Sequence, residues 1–200
     1  MATLILLRHG QSVWNAANKF TGWTDVELSA IGEDEAAKVG EELADTEINV
    51  VHTSGLIRAQ NTAEIVMQQN RVSNDVPTHR DIRLNERHYG DLQGLDKNET
   101  RAKYGDEQVH IWRRSYDVPP PGQEGESLAM CAKRTLPYLE EAIKPDLDAG
   151  KTALVAAHGN SLRSIVMEIE GLSKEEVLSL EIPTGVPRIY NYDNGVFTRV

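Results

Sequence analysis

Cysteine and long apolar segments are both scarce in this chain of 200 residues. Its one cysteine, Cys131, excludes an internal disulfide bond and is typical of a reducing compartment, where we expect a buried, inert thiol. The N-terminal apolar run at residues 4–7 stops at Arg8, far too early for the core of a signal peptide or for a membrane span. These absences predict a soluble, cytoplasmic protein.

Positively charged residues are also scarce. The chain has 21 Lys and Arg and 31 Asp and Glu, which gives a formal net charge of -10. Such a balance argues against nucleic acid or an anionic membrane as a partner unless positive charge is concentrated locally. The length and a hydrophobic content of 40% suit one globular domain with a sizeable core. We therefore predict a single domain over residues 1–200.

Strand-like and helical segments alternate along the chain, which predicts an α/β fold. Short apolar runs at residues 4–7, 48–52 and 152–157 are typical of buried parallel strands. The sequence Asp193-Asn194-Gly195 predicts the turn of a β-hairpin between residues 188–192 and 196–200. We expect a three-layer sandwich in which helices flank a mostly parallel central sheet.

Four helices are predicted from capping residues and helical spacing. Ser29 can cap the first, and Thr53-Ser54 can start the second, which places Arg58 in its first turn or so. The third covers about residues 126–143, and the fourth, at residues 160–171, can end at its glycine. Two long loops are expected, at residues 81–96 and 115–125.

Two of the apolar runs lead directly into His-Gly dipeptides, which begin at His9 and His158. If both runs are parallel strands of one sheet, their carboxyl ends share the edge at which open α/β folds bind ligands. Phosphoryl transfer requires an unprotonated nucleophile surrounded by fixed cations. We interpret His9 as that nucleophile, since neighbouring positive charge lowers the pKa of a histidine. The surrounding cations would be Arg8, Arg58 and a protonated His158.

A second group of cations and aromatic residues follows between residues 85 and 116. Adjacent Arg113 and Arg114 after a tryptophan, together with Lys97, mark a positive spot in an acidic chain and predict an anion site. Glu86 stands near these cations, and a carboxyl group beside a transferring phosphate can carry the proton of a substrate hydroxyl. The sequence therefore predicts an anionic ligand with charge at both ends.

Several segments, spread over nearly the whole chain, together resemble one family. They are Arg8-His9-Gly10, Asn15, Phe20-Thr21-Gly22-Trp23, Leu84-Asn85-Glu86-Arg87-His88-Tyr89-Gly90, Gln93-Gly94-Leu95, Tyr104-Gly105-Asp106-Glu107-Gln108-Val109, Trp112-Arg113-Arg114, Ala157-His158-Gly159-Asn160-Ser161-Leu162-Arg163 and Ile182-Pro183-Thr184-Gly185-Val186-Pro187. With these segments the chain resembles the 2,3-bisphosphoglycerate-dependent phosphoglycerate mutases of the histidine phosphatase superfamily. The resemblance implies a mostly parallel sheet flanked by helices.

The resemblance also implies an activity, the interconversion of 3-phosphoglycerate and 2-phosphoglycerate in glycolysis and gluconeogenesis. It implies that 2,3-bisphosphoglycerate is the phosphorylating primer and that no metal is used. His9 would be phosphorylated, Glu86 would donate and accept the proton, and His158 would stabilise the phosphoryl group in flight. Substrate contacts are implied for a larger set: Arg8, Gly10, Gln11, Ser12, Asn15, Thr21, Gly22, Arg58, Glu86, Arg87, His88, Tyr89, Lys97, Arg113, Arg114, Gly159 and Asn160.

Two departures from the family pattern bear on assembly and on water exclusion. Longer members carry an insertion between the segments that match residues 118–121 and 126–128, where this chain has only Gly122-Gln123-Glu124-Gly125. Many members also continue past the final strand into a tail that helps to close the site, whereas this sequence stops at Val200. We therefore leave a homo-oligomer open and expect more leakage of phosphohistidine to water.

Two other functions stay open on the sequence alone. A phosphatase of small phosphorylated metabolites would use the same residues with water as the acceptor, and a silent binding module would form no phosphohistidine. Each residue also has a structural alternative: His158 as a satisfied core histidine, Glu86 as an ion-pair partner of Arg87 or Arg58. His52, His79 and His110 show no metal-ligand spacing and are interpreted as structural.

Overall fold

A six-stranded sheet forms the centre of the fold in the computed structural model, which describes residues 2–200. The order across the sheet is β3-β2-β4-β1-β5-β6. The first four strands in this order are parallel, and the last two pair in antiparallel fashion. The strands are β1 (Ala2–Arg8), β2 (Val50–Thr53), β3 (Thr78–Arg80), β4 (Thr152–Ala157), β5 (Arg188–Asp193) and β6 (Val196–Arg199).

Helices cover both faces of this sheet, so the predicted three-layer α/β sandwich is confirmed. The helices are α1 (Val13–Ala16), α2 (Ala30–Glu42), α3 (Ile57–Gln69), α4 (Lys97–Tyr104), α5 (Asp106–Arg114), α6 (Leu128–Tyr138), α7 (Lys144–Asp148), α8 (Gly159–Glu170) and α9 (Lys174–Ser179). A π-helical turn at Leu139–Ile143 joins α6 to α7. It follows Pro137, which removes one main-chain donor from the helix predicted to run unbroken over residues 126–143.

Strand β1 shows why the central strands are uniformly apolar. Leu4 and Leu6 belong to the apolar cluster that includes residues of α6 and α8, whereas Ile5 and Leu7 belong to the cluster with α2 and α3. Because side chains alternate across a strand, burial on both faces requires an unbroken apolar run. The same run over Thr152–Ala157 forms β4 with the predicted bounds.

Local capping signals were accurate where a side chain or a glycine does the capping. The Oγ of Ser29 accepts from the amide of Gly32 at the start of α2, and Gly171 ends α8 with a φ of 64°. The hairpin turn has positive φ at Asn194 and Gly195, the conformation that such two-residue turns require. These three predictions are confirmed.

Thr53-Ser54 does not start a helix, as the sequence analysis expected, because Thr53 is the last residue of β2. The Oγ of Ser54 accepts instead from the amide of Leu56, the residue that precedes α3. Arg58 is nevertheless the second residue of that helix, as predicted. Strand β3 was not predicted, since its three exposed residues carry no apolar pattern. No helix among residues 2–200 combines the length and apolar character needed to cross a membrane.

Candidate active site

The two histidines that follow β1 and β4 lie side by side at the carboxyl edge of the sheet. The parallel register ends with Arg8 opposite Ala157, and the amide of His9 donates to the carbonyl of Ala157 over 3.0 Å. The ring centroids of His9 and His158 are 5.0 Å apart, and both residues are buried. The predicted pairing of the two imidazoles at one edge is confirmed.

The hydrogen bond of His9 determines which ring nitrogen can react. Its Nδ1 lies 2.7 Å from the carbonyl oxygen of Gly10. A carbonyl only accepts, so the neutral ring carries its proton on Nδ1 and has its lone pair on Nε2. Burial, followed by the nearby charges of Arg58 and Arg8, holds the pKa of His9 well below its usual range. The ring is therefore neutral at neutral pH, with the lone pair on Nε2 free.

His158 is buried beside His9, and its Nε2 lies 2.7 Å from the Oγ of Ser54. Its Nδ1 is buried and has no hydrogen-bond partner. Burial is the main reason why the pKa of His158 is well below its ordinary value, and the charge of Arg58 adds to the effect. The ring therefore favours the neutral form in the unliganded site, and the expected protonation of His158 around a bound phosphoryl group stays a prediction, since a bound anion would favour the charged form.

Two arginines that line the same cavity as His9 have unpaired polar atoms. Arg58 donates to the carbonyls of Gly22 and Thr24 over 2.7 and 3.0 Å, and Arg8 donates to the carbonyl of Ile182 over 2.9 Å. The Nε atoms of Arg8 and Arg58 are buried without any partner. Burial lowers the pKa of Arg58 to about 10, which leaves it charged at neutral pH. Buried unpaired donors of this kind indicate a place for an anion.

Glu86 is held at the rim of this site by main-chain donors. Its Oε1 accepts from the amide of Arg87 over 2.8 Å and from the amide of Asn160 over 3.1 Å. The ion pairs found among residues 2–200 include none between Glu86 and Arg58 or Arg87. The alternative that Glu86 serves only as an ion-pair partner is thus not supported.

One cavity brings most of the predicted residues together. Its lining includes these predicted residues: Arg8, His9, Asn15, Thr21, Gly22, Arg58, Glu86, Tyr89, Lys97, Arg113, Arg114, Gly159 and Asn160. Burial and the charges of Arg101 and Arg114 lower the pKa of Arg113, while burial and Arg113 lower the pKa of Lys97. Cations in this cavity therefore repel one another in the unliganded protein, and a bound anion would relieve that repulsion.

Three predicted binding residues next to His9 make contacts within the protein. A Cβ at Gly10 would lie 2.2 Å from the carbonyl oxygen of Gly32, so close packing requires the glycine. The amide of Gln11 donates to Glu35, and Ser12 caps α1. Gly10, Gln11 and Ser12 are not among the residues that line the cavity, and their direct contact with the substrate stays a prediction.

Arg87 and His88 also lie outside the lining of the cavity, and their binding roles stay predictions. Arg87 is buried and donates to the hydroxyl of Tyr89 and to the main-chain carbonyl of Arg113, so it supports two lining residues, while its Nε has no partner. The Nδ1 of His88 accepts from the amide of Gly90, which uses the ring to shape the loop. Sequence alone does not distinguish a residue that touches the ligand from one that supports it.

The cavity also includes residues outside the predicted set. Phe20, Arg163 and Ile182 lie in the segments that carry the resemblance, whereas nothing in the sequence pointed to Lys19 or Glu181. Packing between segments that are distant in sequence brings Lys19 and Glu181 to the cavity. Within residues 2–200, no group of three or more histidine, cysteine or acidic side chains is arranged to hold a metal ion.

Comparison with known proteins shows which family the sequence matches and which proteins it is similar to. Residues 4–200 match the family described as the histidine phosphatase superfamily (branch 1). The chain is 51% identical over 219 aligned residues to a 2,3-bisphosphoglycerate-dependent phosphoglycerate mutase of Nitratidesulfovibrio vulgaris, with 96% of this chain and 87% of the relative covered. It is 52% identical over 201 aligned residues to the mutase of the same name from Rhizobium meliloti, with 98% and 94% covered.

Solved structures agree on the fold. The chain superposes on Bacillus stearothermophilus YhfR with a TM-score of 0.84 at 29% identity, covering 100% of this chain and 95% of that one. A mycobacterial glucosyl-3-phosphoglycerate phosphatase bound to VO3 gives a TM-score of 0.85 at 23% identity, with 98% and 96% covered. At that identity the second likeness shows the fold alone.

Proposed function

This chain belongs to the histidine phosphatase superfamily, and we propose that it interconverts 3-phosphoglycerate and 2-phosphoglycerate through a phosphohistidine and a 2,3-bisphosphoglycerate intermediate. One structural observation carries the proposal. A buried histidine with its lone pair on Nε2 shares a cavity with the additional cations Lys97, Arg113 and Arg114. A bisphosphorylated ligand needs positive charge for its second anionic group as well as for the reacting phosphate.

The proposed reaction has two transfers at His9. The first starts from His9 that 2,3-bisphosphoglycerate has already phosphorylated at Nε2. The bond between Nε2 and phosphorus breaks while a hydroxyl oxygen of the phosphoglycerate forms its bond to phosphorus, and Glu86 accepts the hydroxyl proton. In the second, the Nε2 of His9 attacks the phosphorus on the other carbon, and Glu86 returns the proton to the departing oxygen. The carbon that gains a phosphate in the first transfer is not the carbon that loses one in the second. The product therefore carries its phosphate at the other position.

The cations around His9 would stabilise charge that spreads over the phosphoryl oxygens. The unpaired Nε atoms of Arg8 and Arg58 supply donors, and the unpaired Nδ1 of His158 supplies another when that ring carries its proton there. Asn15 and the amide of Gly159 line the same cavity. The nucleophile and the positive charge thus come from side chains, so these steps require no metal ion.

Residues further along the cavity would hold the rest of the ligand. Lys97, Arg113 and Arg114 would bind the carboxylate and the second phosphate, because guanidinium and ammonium groups pair with both. Thr21 and Tyr89 would contribute hydroxyl groups, of which the Oγ1 of Thr21 is buried without a partner. Binding both ends orients the reacting phosphate toward His9.

The experiment that tests this function is a coupled assay of the conversion of 3-phosphoglycerate to 2-phosphoglycerate. We expect activity that depends on added 2,3-bisphosphoglycerate and is unaffected by a chelator. Activity that needs a divalent metal and ignores 2,3-bisphosphoglycerate would contradict the proposal. The cytoplasmic location and the assembly state stay predictions that this assay does not address.

A phosphatase is the second candidate, since the residues around His9 form a complete phosphoryl-accepting site without the more distant cations. Water would then take the phosphoryl group from His9, with Glu86 as the base that accepts its proton. Release of inorganic phosphate separates the two functions: a mutase releases little during conversion, whereas a phosphatase releases one equivalent for each substrate consumed.

A further inference from the structure

An acidic residue sits among the cations of the cavity and has no part in the proposed chemistry. Seven of the lining residues are lysines or arginines, and only two, Glu86 and Glu181, are acidic. The carboxylate of Glu181 lies 2.8 Å from Arg114 and 3.7 Å from Arg163. It therefore occupies part of the positive surface that an anionic ligand would use.

The backbone on both sides of Glu181 is fixed to the site. Arg163 donates from Nε to the carbonyl of Leu180 over 2.8 Å, and Arg8 donates to the carbonyl of Ile182 over 2.9 Å. These two hydrogen bonds hold the segment at the cavity. The side chain of Glu181 is 66% exposed, so it can swing away from the arginines without disturbing the fold.

The ion pair between Glu181 and Arg114 is weak enough for a ligand to displace it. Arg114 is 29% exposed in its pair with Glu181, and an ion pair so open to water is weak. The phosphate or carboxylate of a ligand can therefore displace Glu181 from Arg114. The displaced carboxylate stays near the incoming anion, and the repulsion between them grows with the charge on the ligand.

We propose that Glu181 is a specificity-determining residue, an internal anion that competes with the distal anionic group of the ligand for Arg114 and Arg163. Since this inference rests on the proposed mutase function, its ligand is 2,3-bisphosphoglycerate. The intermediate must release its distal group to turn between the two transfers. Glu181 returns to the vacated arginines at that moment, which keeps the bisphosphate from being held too tightly.

The test compares the binding of two ligands by calorimetry. Glu181→Gln keeps the shape of the side chain and removes its charge, so 2,3-bisphosphoglycerate should bind about threefold to tenfold more tightly. Inorganic phosphate has no second anionic end, so we expect it at the His9 end, and its affinity should change by less than about twofold. Glu175→Gln on α9 is the matched control, because it removes an exposed carboxylate that does not line the cavity.

The outcomes separate the inference from the function on which it rests. If the unaltered protein binds 2,3-bisphosphoglycerate and Glu181→Gln does not tighten that binding beyond Glu175→Gln, the inference is overturned and the mutase function stands. Equal tightening of both ligands also overturns it, since that result indicates a general charge effect. If the unaltered protein does not bind 2,3-bisphosphoglycerate at all, both proposals fail.

Discussion

Arg134 donates a hydrogen bond from Nη2 to the main-chain carbonyl of Glu86 over 2.9 Å. Its Nη1 donates to the carbonyls of Arg83 and Asn85, and its other donors form a two-point contact with Glu126. One half-buried guanidinium therefore binds several main-chain carbonyls of the loop that carries Glu86. No regular ladder holds this loop, so its shape depends on such side-chain contacts.

The first prediction concerns this loop. Arg134→Lys retains the charge but loses the fork of donors, so Glu86 should shift and kcat should fall about tenfold to a hundredfold. Vanadate binding at the His9 end should be unaffected. Arg71→Lys, at an exposed arginine paired with Asp45, is the control. An unchanged kcat, with a lowered melting temperature, would show that Arg134 serves stability alone.

The second prediction identifies the nucleophile. Incubation with labelled 2,3-bisphosphoglycerate should label the protein at His9, and the label should be acid-labile as a phosphohistidine is. His9→Ala should abolish both labelling and mutase activity, since the Nε2 lone pair is lost. The exposed His110 provides a matched control, because His110→Ala leaves the site intact. An acid-stable label on a serine would exclude His9 as the nucleophile.

The third prediction concerns Arg58, which should meet the phosphoryl oxygens as charge spreads over them. Arg58→Ala should lower the rate by about 10³-fold, the lower end of what an analogous arginine supplies. A lone arginine at an exposed cleft edge would contribute little to stability, and the sequence alone gives Arg58 no other role in folding. That expectation needs correction, since Arg58 is 1% exposed and donates to the carbonyls of Gly22 and Thr24.

A second variant separates the two effects at Arg58. Arg58→Lys keeps the charge and part of the packing, so it should melt closer to the unaltered protein while the rate stays well reduced. Melting temperature and turnover are measured on both variants. Near-normal turnover in Arg58→Lys, and certainly in Arg58→Ala, would remove the guanidinium from the mechanism.

The sheet and the two histidines were predictable because their signals are local. An unbroken apolar run followed by a His-Gly dipeptide predicts a buried strand and the residue at its end, as at β1 and β4. Whether a side chain reaches the ligand cavity depends instead on packing between segments that are distant in sequence. Arg87 and Glu181 both show this. Arg87 is buried and hydrogen-bonds to two residues of the cavity lining, whereas hydrogen bonds from Arg163 and Arg8 hold the backbone on both sides of Glu181 at the cavity.

The fourth prediction is a loss of stability in mild acid. His52 is buried between the hydroxyl of Tyr138 and the carboxylate of Asp146, and burial lowers its pKa from 6.5 to about 4. Between these values the unfolded chain binds more protons, so the free energy of unfolding falls as pH falls from about 6.5 toward 4. His9 and His158 act in the same direction.

Urea unfolding at pH 7 and pH 5 measures this effect. His52 alone should contribute a loss of about 1–2 kcal/mol between the two. His52→Gln lowers stability at both values through the altered hydrogen bonds, but the difference between them should shrink. An equal difference in the variant and in the unaltered protein would assign the pH dependence to other groups.

The fifth prediction separates the distal cations from the reacting site. Replacing Arg113 and Arg114 together with alanine should weaken 2,3-bisphosphoglycerate binding by about a hundredfold or more, because two charge-assisted contacts are lost. The variant should still fold: Arg114 pairs only with the exposed Glu181, and Arg87 uses the main-chain carbonyl of Arg113, which alanine retains. Vanadate lacks a second anionic end and should still bind beside His9.

Without Arg113 and Arg114 to hold the distal end of the ligand, the phosphoryl group on His9 should also be transferred to water more often. The ratio of phosphatase to mutase activity should therefore rise. Titrations with both ligands and an assay for inorganic phosphate give the three measurements. The two-site arrangement fails if vanadate binding falls as much as that of 2,3-bisphosphoglycerate. Arg113 and Arg114 would then belong to the reacting phosphate, and Glu181 would compete with that group instead of the distal one.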